Sequence, residues 1–134
     1  MKILLDTNAY SAWKRGDRTV IELVRNSEWL HFSPIVVGEL LFGFREGSKY
    51  QANVAELEDL LGRFRVSLDP ITWITADRFA RIASALRRKG RPIPSNDIWI
   101  AAQALELGAD LISFDQHFSE VDALPWVDPT TPRV

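Results

Sequence analysis

The chain has 134 residues, of which 46% are hydrophobic and 25% charged, with a formal net charge of −2, proportions that are typical of one globular domain and exclude a fibrous or disordered chain. The absence of cysteine excludes disulfides, thiolate-bound zinc and a cysteine nucleophile, and two histidines cannot build an all-histidine metal site. We therefore expect oxygen ligands to hold any metal ion, which points to Mg²⁺ or Mn²⁺.

Short apolar strands alternate with helical patterns along the chain. The predicted elements are, in order, strand 3–5, helices 9–15 and 18–27, strand 30–32, helices 34–46 and 49–64, strand 66–68, helices 72–89 and 96–107, and strands 110–113 and 126–127. Ser95 is the predicted N-cap of helix 96–107, and residues 129–134 are predicted to form a frayed tail. This alternation predicts a three-layer α/β/α fold with a short-stranded parallel sheet.

Charge is unevenly distributed along the sequence. Residues 1–77 carry a net charge of −2, residues 78–91 carry +6 without any acid, and residues 92–134 carry −6. This layout suits an acidic metal site that acts on a polyanion, although a solvated basic helix face explains it equally well. The apolar run before Asp6 has only three residues, and no apolar run approaches the roughly 18 residues of a membrane span, so we expect a cytoplasmic protein.

Four acidic residues occupy positions where a parallel sheet binds ligands, beyond the carboxyl ends of its strands. Asp6 follows the first strand, Asp115 follows strand 110–113, and Asp97 begins the helix before that strand. Each also has a structural explanation, because an aspartate can cap a helix, complement a helix dipole or stabilise a turn.

Glu39 is the only charge between Pro34 and Phe44, in the middle of an apolar helix. A buried carboxylate without a partner costs several kcal/mol, so Glu39 needs a positive partner. That partner is either a metal ion shared with the other acids or a buried arginine. If Glu39 lay on the opposite side of the molecule from Asp6, a shared site would be excluded.

Four blocks of the sequence resemble the PIN domain in their order and approximate spacing. They are Leu5-Asp6-Thr7-Asn8, the helical Glu39, the segment from Ser95 to Ala102, and Leu111-Ile112-Ser113-Phe114-Asp115. The likeness extends from residue 3 to about residue 127 and is closest to the VapC-type ribonuclease toxins of toxin–antitoxin pairs. It implies a single PIN-like domain over 1–134.

The resemblance also implies an activity and its partners. The protein would be an Mg²⁺- or Mn²⁺-dependent endoribonuclease that hydrolyses RNA phosphodiester bonds through metal-activated water and leaves 5′-phosphate and 3′-hydroxyl ends. A VapB-like antitoxin would inhibit it, and it would form a homodimer. The alternative is a non-catalytic RNA- or protein-binding module on the same fold, although a pure binder has no need for clustered negative charge facing RNA.

Carried over residue by residue, the resemblance assigns the acids Asp6, Glu39, Asp97 and Asp115 as catalytic residues and metal ligands. Thr7 and Asn8 would orient Asp6 or hold a metal-bound water, while Asn96 and Ser113 would support the acids by hydrogen bonding. Neither histidine receives a role. The candidates for RNA binding are the basic residues of one segment: Arg78, Arg81, Arg87, Arg88, Lys89 and Arg91.

Overall fold

The computed structural model describes residues 1–131. The strands are β1 Lys2–Leu5, β2 Trp29–Phe32, β3 Val66–Leu68, β4 Asp110–Ile112 and β5 Trp126–Val127. The α-helices are α1 Thr7–Lys14, α2 Arg18–Arg25, α3 Pro34–Glu46, α4 Tyr50–Leu61, α5 Trp73–Lys89 and α6 Ser95–Leu107, and a short 3₁₀-helix spans Gln116–Glu120. Within this part of the chain, no helix is both long and apolar enough to cross a membrane.

The five strands form one parallel sheet in the order β3-β2-β1-β4-β5. The central strand β1 contributes Ile3, Leu4 and Leu5 to the core, all without exposed surface, as expected for a strand covered on both faces. Helices flank the sheet, which confirms the predicted three-layer α/β/α fold. Because the strand order reverses between β1 and β4, the crevice beyond their carboxyl ends is the expected place for a ligand.

Helix α5 runs antiparallel to α6. Thr75, near the start of α5, donates its hydroxyl to Glu106, near the end of α6, and the ring of Phe79 stacks on Trp99 with 4.2 Å between centroids. The first half of α5, from Thr75 to Phe79, therefore packs along α6 from Glu106 back to Trp99. Helix α5 ends at Gly90, whose φ of 69° is left-handed and suits glycine.

Most predicted elements are found within a few residues, and three differ in an informative way. The strand predicted to end at Ser113 ends at Ile112, because the Ser113 hydroxyl accepts the backbone N–H of Asp115 and begins a turn. The helix predicted to reach residue 64 ends at Leu61, where Gly62 provides the C-cap. Ser95 is the first residue of α6 and not its cap, since Pro94 occupies that position.

The predicted frayed tail is also partly corrected. Pro129 is buried, and the backbone N–H of Thr130 donates to Asp128, so the start of this segment is attached to the body of the protein. Residues 132–134 lie outside the described residues.

Candidate metal centre

Asp6 stands at the carboxyl end of β1, in the crevice between β1 and β4. Its backbone N–H donates to the carbonyl of Ile112 at 3.2 Å, which continues the strand pairing by one residue. One side-chain oxygen accepts the N–H of Ala9 at 2.9 Å, and the other accepts the hydroxyl of Ser113 at 2.5 Å. Asp6 therefore caps α1 and is fixed in the crevice at the same time, so the structural and functional explanations hold together.

Glu39 reaches the same crevice from α3. Its Oε1 accepts the hydroxyl of Thr7 at 2.5 Å, and its Oε2 accepts the side-chain amide of Asn96 at 3.3 Å. Among the described residues, the ion pairs do not include Glu39, so no arginine there neutralises it. The hydroxyl of Thr7 contacts Glu39 and not Asp6, because Thr7 is the first residue of α1 and faces α3.

Asp97, in the first turn of α6, and Asp115, just beyond β4, meet at His117 in the 3₁₀-helix. The Nε2 atom of His117 lies 2.8 Å from Oδ2 of Asp97, and its Nδ1 atom lies 3.8 Å from Oδ1 of Asp115. One potential ligand atom from each of these residues lies within 4.8 Å of the other two. Sequence reasoning missed His117. The available signal was its position two residues after Asp115, but the 3₁₀ turn that directs its ring into the site could not be read from the sequence.

These acids share one open pocket of about 520 Å³. The pocket is lined by Asp6, Thr7, Asn8, Glu39, Phe42, Pro94, Ser95, Asn96, Asp97 and Asp115. Glu39 thus lies on the same side of the molecule as Asp6, and the observation that would have excluded a shared site is not met. Ser113 lies behind Asp6 and is fully buried.

The predicted RNA-binding residues lie outside this lining. Arg81 pairs with Asp77 of its own helix, and Lys89 pairs with Asp122 at 2.8 Å. In the sequence, the basic segment 87–91 is nevertheless followed within a few residues by Asp97, in the first turn of α6.

The carboxylates of the pocket are electrostatically unfavourable without a cation. The pKa of Asp6 is raised to about 6: burial is the largest cause, the hydrogen bonds from Ser113 and Ala9 oppose the shift, and the negative charges of Asp115 and Asp97 add to it. Burial also raises the pKa of Asp97, with His117 opposing and Asp115 adding to it. A divalent cation would remove this repulsion, and a donor set dominated by carboxylate oxygens fits Mg²⁺ or Mn²⁺.

Comparison with known proteins then decides the family. The model of the PIN domain family matches residues 3–124. The chain belongs to the PIN domain family. This result confirms the resemblance inferred from the four sequence blocks.

Relatives that align with this PIN domain over most of their length are named VapC. Ribonuclease VapC1 of Haemophilus influenzae strain R2866 is 33% identical over 135 residues, which cover 97% of this chain and 99% of the relative. Ribonuclease VapC2 of Rickettsia felis is 29% identical over 117 residues, covering 84% and 86% of the two chains. The structure of VapBC-1 from nontypeable Haemophilus influenzae matches with a TM-score of 0.83 and 31% identity, covering 98% of this chain and 100% of that chain.

Proposed function

We propose that this PIN domain protein is a metal-dependent endoribonuclease and the toxin of a toxin–antitoxin pair. The observation that carries the proposal is the convergence of four carboxylates from four separate segments in one pocket at the β1–β4 crevice. The names of the VapC relatives support RNA as the substrate. The raised pKa of Asp6 supports a site that is completed by Mg²⁺ or Mn²⁺.

The cation would be held by the four acids: Asp6, Glu39, Asp97 and Asp115. When bound, it supplies a more acidic water for attack on phosphorus and stabilises the negative charge of the phosphate. Ser113 and the N–H of Ala9 fix both oxygens of Asp6. Thr7 and Asn96 do the same for Glu39, so these two carboxylates are oriented before a cation arrives.

RNA would approach the pocket over the basic end of α5. The short connection between α5 and α6 would bring Arg87, Arg88, Lys89 and Arg91 toward the pocket, where their charges would contact the backbone phosphates on either side of the scissile bond. Arg78 and Arg81 are two to three turns farther from that end and would contact RNA at a greater distance from the cut. Asn8 lines the pocket, where its amide would bind a water or a phosphate oxygen.

We further propose that a VapB-like antitoxin inhibits the enzyme by covering the acidic pocket, that the protein forms a homodimer, and that it acts in the cytoplasm as a single domain. The similarity to VapBC-1 supports the antitoxin, because VapBC assemblies are described as toxin–antitoxin systems.

Cleavage of defined RNAs by the purified protein tests the proposal. We expect 5′-phosphate and 3′-hydroxyl products in Mg²⁺ or Mn²⁺, no cleavage in chelator, and a loss of at least about a hundredfold in Asp6→Asn, since a ligand of the cation is removed. Asp17→Asn is the matched control, because Asp17 caps α2 as Asp6 caps α1 but lies outside the pocket. Equal cleavage in chelator, or by Asp6→Asn, would reject the metal-dependent mechanism.

Calorimetry with Mg²⁺ or Mn²⁺ distinguishes the enzyme from a non-catalytic binding module. Specific cation binding that disappears in Asp6→Asn and in Asp97→Asn supports the enzyme. Equal and weak binding by the wild type and both variants favours the binding module.

A further inference from the structure

His117 borders the acidic pocket, where it contacts Asp97 and Asp115, but has no part in the hydrolysis described above. We propose that His117 is a direct ligand of the cation, which it shares with Asp97 and Asp115, and that it makes the site prefer Mn²⁺ over Mg²⁺ more strongly than carboxylates alone would. This inference rests on the proposed metal-dependent function.

The spacing of the donor atoms fits one shared ion. Ligand atoms around an octahedral cation with bonds of about 2.1 Å stand about 3.0 Å apart when adjacent and about 4.2 Å apart when opposite. The Nε2 atom of His117 and Oδ2 of Asp97 are 2.8 Å apart, and the three residues offer ligand atoms within 4.8 Å of one another. The 2.8 Å pair is close to the spacing of adjacent ligands, and the 4.8 Å limit exceeds that of opposite ligands by about 0.6 Å, so a movement of less than about one ångström would bring the three atoms into one coordination shell.

The ring nitrogen Nε2 that faces Asp97 is buried and lies 2.8 Å from Oδ2 of the carboxylate. A cation bound between the two groups would satisfy the lone pair of the nitrogen and the carboxylate at the same time.

Packing against the core also fixes the position of the His117 ring. It packs against Phe118 with 4.8 Å between ring centroids, and Phe118 is almost fully buried in the core. A ring that is positioned by packing loses little conformational entropy when it binds an ion, which is the usual requirement for a precise metal site.

An imidazole ligand changes the selectivity of an oxygen site. Mg²⁺ strongly prefers oxygen ligands and keeps its waters, whereas nitrogen ligands favour transition metals. A pocket of carboxylates alone would discriminate weakly between Mg²⁺ and Mn²⁺. The addition of His117 should therefore raise the affinity for Mn²⁺ more than the affinity for Mg²⁺.

In the opposing explanation, His117 lowers the affinity of the site for the cation. If its ring serves as a positive partner of Asp97 in place of the metal, it competes with the cation. Removing the ring would then leave the affinity for Mn²⁺ unchanged or increase it.

Calorimetric titration with MnCl₂ and MgCl₂ separates the two explanations. For His117→Ala we expect the affinity for Mn²⁺ to fall by about tenfold or more and the affinity for Mg²⁺ to fall much less. The matched control is Gln116→Ala, which removes an exposed neighbour of the same 3₁₀-helix and should change neither affinity. An Mn²⁺ affinity that stays the same or rises in His117→Ala overturns the inference and leaves the proposed function intact.

Nitrogen NMR of the wild-type protein provides a second readout that needs no variant. The chain has two histidines, so His31 is an internal reference outside the pocket. We expect Zn²⁺, a diamagnetic probe, to shift a ring nitrogen of His117 and to leave His31 unchanged. Zn²⁺ binding without a shift of His117 would reject ligation. If the wild type binds no divalent cation at all, the proposed function fails first and this inference fails with it.

Discussion

Two clusters of polar side chains interrupt the apolar interior, and they differ in their balance of donors and acceptors. In the cluster between β2 and β3, the carboxylate of Asp69 accepts hydrogen bonds from His31 at 2.8 Å and from Ser67 at 2.9 Å, and Ser67 accepts one from Trp29. In the pocket beyond β1 and β4, by contrast, four carboxylates lie together, no lysine or arginine of residues 1–131 pairs with them, and burial with the neighbouring negative charges raises the pKa of Asp6.

The difference separates a structural cluster from a functional one. In the Asp69 cluster, one acid is matched by side-chain donors of the fold itself, so the cluster stabilises the native state without any ligand. In the pocket, the four carboxylates outnumber their single histidine neighbour among the described residues, so the excess of negative charge calls for an added cation. Unbalanced charge at a strand end is therefore the more informative signal for function.

The largest expected effect on stability lies in the Asp69 cluster. Asp69→Ala leaves the partly buried hydrogen-bonding groups of His31 and Ser67 without their acceptor, and we expect the free energy of unfolding to fall by about 3 kcal/mol. Urea denaturation measures this loss. Cleavage per folded molecule should be unchanged, because the cluster does not line the pocket. A stable but inactive Asp69→Ala protein would contradict the distinction between the two clusters.

Removing a carboxylate from the pocket should have the opposite effect on the free energy of unfolding. Asp6 is buried with a pKa of about 6, above its ordinary value of 3.8, so its ionised form disfavours folding. In chelator at pH 8, we expect Asp6→Asn to raise the free energy of unfolding by about 2 kcal/mol, because removal of the buried charge outweighs the one hydrogen bond, from Ser113, that an amide nitrogen cannot accept. Saturating Mg²⁺ should reduce or reverse the stability advantage of Asp6→Asn over the wild type, since only the wild type binds the ion well.

The pH dependence of the stability gained in Asp6→Asn provides a control for this prediction. Below about pH 4, Asp6 is protonated in both the folded and the unfolded state, and the carboxylate carries no penalty. Between about pH 4 and pH 6, the unfolded state releases the proton first, so the metal-free wild type loses stability relative to Asp6→Asn. Above pH 6 the difference should be constant. A difference that does not change with pH would show that the gain does not come from ionisation.

Much of this site could be predicted from the sequence, for a topological reason. Asp6 and Asp115 follow apolar strands, and parallel strands bring their carboxyl ends to one edge, so their proximity follows once the sheet is recognised. Glu39 was predictable in another way, because a single charge in an apolar helix needs a partner.

Other parts of the site could not be predicted because they depend on tertiary packing. The contact of Thr7 with Glu39 depends on how α3 crosses the start of α1, and that crossing is not encoded by local periodicity. The entry of His117 depends on a 3₁₀ turn of five residues that has no strong sequence signature. The position of the basic end of α5 depends on its antiparallel packing against α6, which composition alone does not reveal.

The smallest expected effect concerns this basic end, where the interaction with RNA is exposed and screened by salt. In the inactive Asp6→Asn background, we expect Arg91→Ala to weaken the binding of single-stranded RNA a few-fold and to lower the slope of log K against log salt by about 0.7. Arg25→Ala, at the end of α2 and outside the pocket, should leave the slope unchanged. With Asp6 intact, each of the two substitutions should leave the cation affinity unchanged, because neither arginine is paired with a carboxylate of the pocket. An equal loss of slope for Arg25 and Arg91 would mean that RNA is attracted by the overall charge of the protein and is not guided to the acidic pocket by α5.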